Sequence, residues 1–117
     1  MNNKRVGELG ERLAKIYLET SGFQILKCNY RTKRGEIDII AKKNRCIHFV
    51  EVKSRTNKYV LARQSIDKTK CDHILRVAEY YIYMNRIENV SCQIDAIEVY
   101  IQENSVQINY IPQIIEK

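Results

Sequence analysis

Residues 36–42 and 46–54 are two apolar, β-branched runs joined by a polar link of three residues, Lys43-Asn44-Arg45, and no other feature narrows the fold as much. Short runs rich in Ile and Val pack as strands, and so tight a link makes each the other's nearest partner. Yet Glu36, Asp38, Glu51 and Lys53 sit inside these runs. Side chains alternate across a strand, so Glu36 shares a face with Asp38, and Glu51 with Lys53. With a two-residue turn at Asn44-Arg45, Lys43 pairs with Cys46, and counting back sets Asp38 opposite Glu51 and Glu36 opposite Lys53. Directly opposed Cβ atoms lie about 4.5 to 5.5 Å apart, close enough for two carboxylates to hold one cation. A slip of one residue destroys the arrangement.

Two arrangements relieve the repulsion of carboxylates that face each other on a half-buried sheet. One is a divalent metal: hard oxygen ligands with positions open to water suit Mg²⁺ or Mn²⁺, and no histidine cluster points to zinc. Lys53, one strand period past Glu51, is then placed to polarise water or to steady charge growing on a phosphate. The other is a salt-bridge network, Glu36 with Lys53 and Asp38 with a neighbouring arginine. Alternation fits both.

The rest of the chain surrounds these strands with helices. Val6, Leu9, Leu13, Ile16 and Tyr17 recur at helical spacing over residues 4–20, and Ser21-Gly22 ends that helix. Residues 23–30 read as a further strand, giving an antiparallel meander with the two runs. A second amphipathic helix over residues 65–84 is carried by Ile66, Ile74, Val77, Ala78 and Tyr81, and strands follow at 91–100 and 106–111. The order is α-β-β-β-α-β-β, an α/β class. With 117 residues, no repeat and no linker, the expectation is one domain over 1–117.

Both helices bring charge toward the sheet. At about 100° per residue, Glu11 falls beside Gly7, Ala14 and Leu18 on the border of the apolar face, where it either reaches the sheet end or stays solvated. Gly7 and Gly10 allow the helix to approach closely. Lys70 lies between Ile66 and Ile74 on the row that faces the core, so its ammonium must snorkel or find an anion, either the carboxylate cluster or a phosphate. Asp95 reads as a local hydrogen-bonding group. By alternation His48 faces away from Glu51, and His73 lies on the flank of its helix, so neither is the general base.

The net charge of +6 is unevenly spread: between Lys27 and Arg63 eleven bases meet three acids, a local excess of eight, so the remainder carries −2. Such a surface neutralises phosphates or is simply a solvated basic face. Arg31, Lys33, Arg34, Arg55 and Lys58, with Lys70, are the candidate phosphate contacts. Tyr30 and Tyr59 either stack on bases or fill the core and rim. Hydrophobic residues at 44% and charged ones at 29% exclude disordered and collagen-like classes. Without a secretory or membrane-length apolar run, the expected place is the cytoplasm and the expected partners include no membrane. Cys28, Cys46, Cys71 and Cys92 form no C-x-x-C pair and read as reduced packing residues.

Several of these residues together carry a resemblance. Gly7, Gly10-Glu11 and Ala14, then Asn29-Tyr30-Arg31, Gly35-Glu36-Ile37-Asp38-Ile39-Ile40, Phe49-Val50-Glu51-Val52-Lys53 and Arg55, with Lys70 and Asp95, resemble the bacterial YraN-like uncharacterised family, itself similar to archaeal Holliday junction resolvases. The resemblance covers nearly the whole chain. It implies a restriction-endonuclease-like D…E-x-K core, a four-stranded mixed sheet flanked by helices. It further implies that Asp38, Glu51 and the Val52 carbonyl bind Mg²⁺ or Mn²⁺, that Lys53 assists the attacking water, and that Glu11 matches the helix acid of the resolvases. The chain departs from the pattern after Arg55, where Thr56-Asn57-Lys58-Tyr59-Val60 lacks a glycine. The function so implied is a metal-dependent endonuclease acting on DNA, branched or structured, as a homodimer by analogy. The alternative is a nucleic-acid-binding module of the same fold without turnover.

Overall fold

The computed structural model describes residues 2–56 and 68–114. Its elements are α1 (Asn3–Thr20), β1 (Gln24–Thr32), β2 (Gly35–Lys43), β3 (Cys46–Arg55), α2 (Lys68–Met84), β4 (Ser91–Gln102) and β5 (Ser105–Ile111). The order α-β-β-β-α-β-β is the one read from the sequence.

Helix α1 starts where Asn2 accepts a hydrogen bond from the Arg5 N–H at 2.8 Å, closing one of the open donors of the first turn. Val6, Gly10, Ala14 and Leu18 form its buried row, four residues apart. Of the other residues assigned to that face from the sequence, Leu9, Leu13 and Tyr17 are half-buried on its flanks, and Ile16, which the wheel sets nearly opposite Ala14 and Leu18, is 51% exposed. The helix ends at Ser21 with Gly22 at φ 94, a conformation costly for any residue with a Cβ. Lys43 then donates to the Ser21 carbonyl at 2.8 Å and lies over the Phe23 ring at 5.1 Å, fixing the end of α1 to the β2–β3 turn.

The five strands form one sheet in the order β1-β2-β3-β4-β5, one strand more than the resemblance implies. Only β3 and β4 run parallel; the other neighbours are antiparallel, so the sheet is mixed. A parallel pair needs a long crossover, and α2 supplies it. The hydrophobic core has two layers. Leu18, Ile39, Val50, Ile97 and Val99 lie with the buried row of α1, whereas Ile37, Ile40, Phe49 and Ile94 lie with Ile74, Val77, Ala78 and Tyr81 of α2. Ile66 of the expected α2 face is outside the described residues.

The β2–β3 register is the one counted from the sequence, from Lys43 with Cys46 to Ile39 with Val50. No Asp-Gly is needed, because Asn44 itself takes φ 56 in the turn. Beyond Ile39 the counted ladder stops. Ile37 packs under α2 while Ile39 packs under α1, so the strict in-out alternation breaks around Asp38. The Val52 N–H donates to the Asp38 side chain at 2.8 Å in place of a backbone carbonyl. The sheet therefore opens between β2 and β3, and a carboxylate closes the last donor.

Among the described residues no helix is long and apolar enough to cross a membrane. The cysteines only partly match their expected packing role: Cys28 and Cys92 are exposed, Cys46 and Cys71 half-buried.

Candidate active site

Two clefts meet where the sheet opens. One, of about 620 Å³, is lined on the α1 side by Gly7, Glu11, Lys53 and Arg55; the other, of about 510 Å³, on the α2 side by Glu51, Lys70 and His73. Glu36, Asp38, Val52 and Lys53 line both. Asp38 and Glu51 come together as the sequence suggested, through the opening and not as a ladder pair.

Glu51 is 4% exposed, and its Oε1 has no hydrogen-bond partner among the described residues. Burial first, and then the charge of Asp38, push its carboxyl up to about 8, against the pull of Lys70 and Lys53. Asp38 is also raised, by burial above all, which outweighs the Val52 N–H bond. Beyond burial, the charge of Asp38 and a hydrogen bond between the two acids raise Glu51, whereas that same bond lowers Asp38, whose rise comes from burial and the charge of Glu36. Lys53 is lowered to about 8 by burial and by contact with the Lys70 ammonium, although Glu51 and Asp38 favour its charge. Burial pulls Lys70 down as well, but the Lys53 amine and the charges of Glu51 and Asp38 leave it raised overall. Its Nζ lies 3.7 Å from Glu51 Oε2. Of the two options for Lys70, it finds an anion.

Glu11 lines the α1-side cleft, and its carboxyl is raised by burial and by the charges of Asp38 and Glu36. It reaches the sheet end because α1 approaches β3 at Gly10, where a Cβ would sit 1.7 Å from Ser54 Oγ. Nothing lies within 4 Å of a Cβ added at Gly7, so Gly7 is not needed for this approach.

Glu36 does not meet Lys53. It pairs with Arg31 across the β1–β2 hairpin at 3.0 Å, both side chains largely exposed. The salt-bridge network of the alternative reading thus exists with other partners, Arg31 for Glu36 and Lys70 for Glu51. His73, set aside on the flank of its helix, lines the α2-side cleft beside Lys70; their spacing of three residues on one helix was the signal for it. His48 faces the other layer, as expected, where its Nδ1 lies 2.6 Å from Asp95 Oδ2. Asp95 also accepts from Tyr110, Gln93 and the Gln113 N–H. Burial opposes its charge, yet these bonds hold it below the usual carboxylate range. It is a local hydrogen-bonding group, as read.

The basic residues fall at two ends of the sheet. Arg31, Lys33 and Arg34, with the half-buried Arg55, flank the opening, and Lys33 and Arg34 are exposed in the β1–β2 turn. Lys43 and Arg45 lie at the far end of β2 on structural duty, Lys43 on Ser21 and Arg45 on the Asn89 carbonyl at 3.0 Å. Tyr30 packs edge-on against Tyr81 at 5.2 Å, a rim contact. Lys58 and Tyr59 are outside the described residues.

The donor set can be tested against a divalent ion. Asp38 Oδ2 is engaged by Val52, Glu51 Oε2 faces Lys70, and Glu51 Oε1 has no hydrogen-bond partner among the described residues. The Val52 carbonyl points to the same side of its strand as the N–H, into the opening. Among the described residues no three or more His, Cys, Asp and Glu side chains form a metal-binding group, so the protein offers two carboxylates and one carbonyl. That sparse, hard oxygen set fits an ion that keeps most of its water.

Fold and site together define a small mixed α/β protein whose sheet opens beside a carboxylate pair backed by two lysines. The chain belongs to the uncharacterised protein family UPF0102, whose family model matches residues 10–99, a span containing Glu11, Asp38, Glu51, Lys53 and Lys70. It is similar to the UPF0102 protein of Clostridioides difficile strain 630, 48% identical over 112 residues that cover 95% of this chain and 96% of the relative. A UPF0102 protein of Clostridium beijerinckii is 45% identical over 112 residues, covering 93% and 91%. One of Caldicellulosiruptor saccharolyticus is 40% identical over 114 residues, covering 95% and 97%.

Proposed function

We infer that the protein is a metal-dependent endonuclease that hydrolyses phosphodiester bonds of DNA, with branched or structured DNA as its substrate class, in the cytoplasm. The observation that carries this reading is the buried Oε1 of Glu51, without a hydrogen-bond partner among the described residues and beside Asp38 and Lys53, since the Lys70 ammonium faces the other oxygen and leaves this one open to a cation. Asp38, Glu51 and the Val52 carbonyl would hold Mg²⁺ or Mn²⁺. When bound, that ion supplies Lewis acidity at a phosphate oxygen and eases deprotonation of water.

The chain's own groups do the rest. Lys53, lowered to about 8, keeps a neutral fraction near pH 7 and so can accept a proton from water aligned for in-line attack. Glu11 closes the α1 side of the cleft and orients water there. Arg31, Lys33, Arg34, Arg55 and Lys70 grip phosphates on either side of the opening, and Lys58, outside the described residues, is a further phosphate contact. A homodimer belongs to this reading, visible in light scattering as twice the monomer mass of 13.8 kDa.

The test is cleavage of labelled duplex, flap and four-way DNA with Mg²⁺ or Mn²⁺, beside Asp38→Ala and Lys53→Ala. The wild type should cut at least one substrate and each variant should lose roughly a hundredfold or more, as loss of one charge-stabilising group does elsewhere. No cleavage, or equal cleavage by the variants, overturns the reading. One observation favours a second: Lys70 already places a cation beside Glu51, as a pure ion-pair network requires. A nucleic-acid-binding module without turnover would then show salt-sensitive DNA binding and no metal-dependent cutting.

A further inference from the structure

The Lys70 ammonium stands 3.7 Å from Glu51 Oε2 and in contact with Lys53, on the side of the carboxylate pair closed by α2. Its side chain is 38% exposed and that of Glu51 only 5%, so water reaches the ammonium but barely the carboxylate. With the charge of Lys53 acting beside it, the ammonium meets one oxygen of Glu51, Oε2. Its other oxygen, Oε1, is buried with no partner among the described residues. A single ammonium cannot serve both oxygens and the neighbouring Asp38 at once.

From this arrangement we propose that Lys70 is an exchangeable counter-ion: it occupies the cation position beside Glu51 in the metal-free protein and gives that position up to a divalent ion. The inference rests on the metal-binding reading above. A doubly charged ion between Asp38 and Glu51 repels an ammonium a few ångströms away, and the flexible stem of Lys70 and its exposure give the ammonium a way out to solvent. Its new position is the α2-side cleft, which Glu36, Lys53 and His73 also line. There the displaced ammonium meets the next phosphate of a bound strand. Lys70 is thus a positioning residue that couples occupancy of the carboxylate pair to the charge of the cleft wall. A lysine merely clamping α2 to the sheet would hold Glu51 whether or not metal is present.

The experiment measures Mn²⁺ affinity of the full chain by calorimetry for wild type, Lys70→Met and Glu51→Gln. It also measures the rate at which acetic anhydride labels Lys70 in the wild type with and without Mn²⁺, read by mass spectrometry. Removing a competing charge should make Lys70→Met bind Mn²⁺ roughly tenfold tighter, a solvent-screened fraction of the full Coulomb effect. Mn²⁺ should also speed labelling of Lys70 severalfold, while Glu51→Gln loses Mn²⁺ binding. Equal or weaker Mn²⁺ binding by Lys70→Met, or labelling that Mn²⁺ slows or leaves unchanged, overturns the exchange and leaves the metal site standing. A wild type that binds no Mn²⁺ overturns the metal site and the exchange together. The labelling arm uses the wild type, so it decides the matter even where Lys70→Met does not fold.

Discussion

At neutral pH Glu51 largely keeps its proton, because water barely reaches it and Asp38 stands beside it, and the charges of Lys70 and Lys53 only partly compensate. Its folded-state pKa of about 8 lies above the unfolded 4.5, so the folded protein holds the proton more tightly. Stability therefore falls as pH rises from about 4.5 through 8, and Asp38 acts in the same direction. Lys53 does the reverse at higher pH: lowered from 10.5 to about 8, it costs stability below 8 and ceases to between about 8 and 10.5. Metal-free protein should thus lose melting temperature from pH 5 to 8 and regain part of it above. Glu51→Gln should flatten the first limb and stabilise the metal-free fold at pH 8 by about 2 kcal/mol, because a neutral amide replaces a buried charge. Thermal denaturation across pH checks this, and a wild-type profile parallel to that of the variant from pH 5 to 8 excludes it. Divalent ion added at pH 8 should raise the melting temperature of the wild type and leave Asp38→Asn unmoved. Type and spacing brought the acids and Lys53 forward as a cluster, and the resemblance chose between a metal site and an ion-pair network for them. The partners of Glu36 and Glu51 were not legible, since Arg31 and Lys70 reach them from other elements.

Among the elements, α1 makes the plainest case of what periodicity does and does not carry. The 3.6-residue repeat gave the helix but set its face on Val6, Leu9, Leu13, Ile16 and Tyr17, of which only Val6 lies in the buried row, and it could not say which of the two glycines faces a neighbour. Gly10 does and Gly7 does not. Gly10→Ala places a methyl 1.7 Å from Ser54 Oγ and 2.8 Å from its Cβ, so α1 must lift from β3. The expected loss is about 1 to 3 kcal/mol, although alanine is the better helix former. Gly7→Ala meets nothing and should gain up to about 1 kcal/mol. Urea denaturation of the two variants should move in opposite directions, and a shared direction refutes this account of the α1–β3 contact. The strands teach the complementary lesson. Counting from the turn gave the β2–β3 register as far as Ile39 and Val50, because Asn44 supplies the conformation the turn needs. It missed the opening at Asp38, since counting assumes that backbone pairs with backbone, and here a side chain takes the Val52 N–H.

For the protein as a unit, the basic stretch between Lys27 and Arg63 looked like one surface in the sequence, and its described turn residues lie at two separate ends of the sheet. Strand β2 has nine residues, so the turn with Lys33 and Arg34 lies roughly 25 to 30 Å from the turn with Lys43 and Arg45. Linear charge density carries no information about that separation. If DNA lies over the opening, Lys33→Ala and Arg34→Ala should each weaken binding in 0.1 M salt severalfold and reduce the salt slope by about one. Lys43→Ala, which loses the bond to Ser21, should lower stability by about 1 kcal/mol and leave DNA affinity nearly unchanged. Fluorescence anisotropy over a salt series separates the two ends, and equal effects from both refute a binding face confined to the opening.

The parallel pairing of β3 with β4 also orders events in time. Strands β1, β2 and β3 close on one another through short local turns, whereas β4 joins only after the chain has completed its excursion through α2, a slower closure because its contacts are far apart in sequence. A folding intermediate with the first three strands zipped would therefore carry Asp38 and Glu51 on adjoining strands before Lys70 arrives to oppose them. Protonated acids relieve that moment of unopposed charge, so refolding should run faster in mild acid than at pH 8, and replacing Glu51 by glutamine should remove the difference.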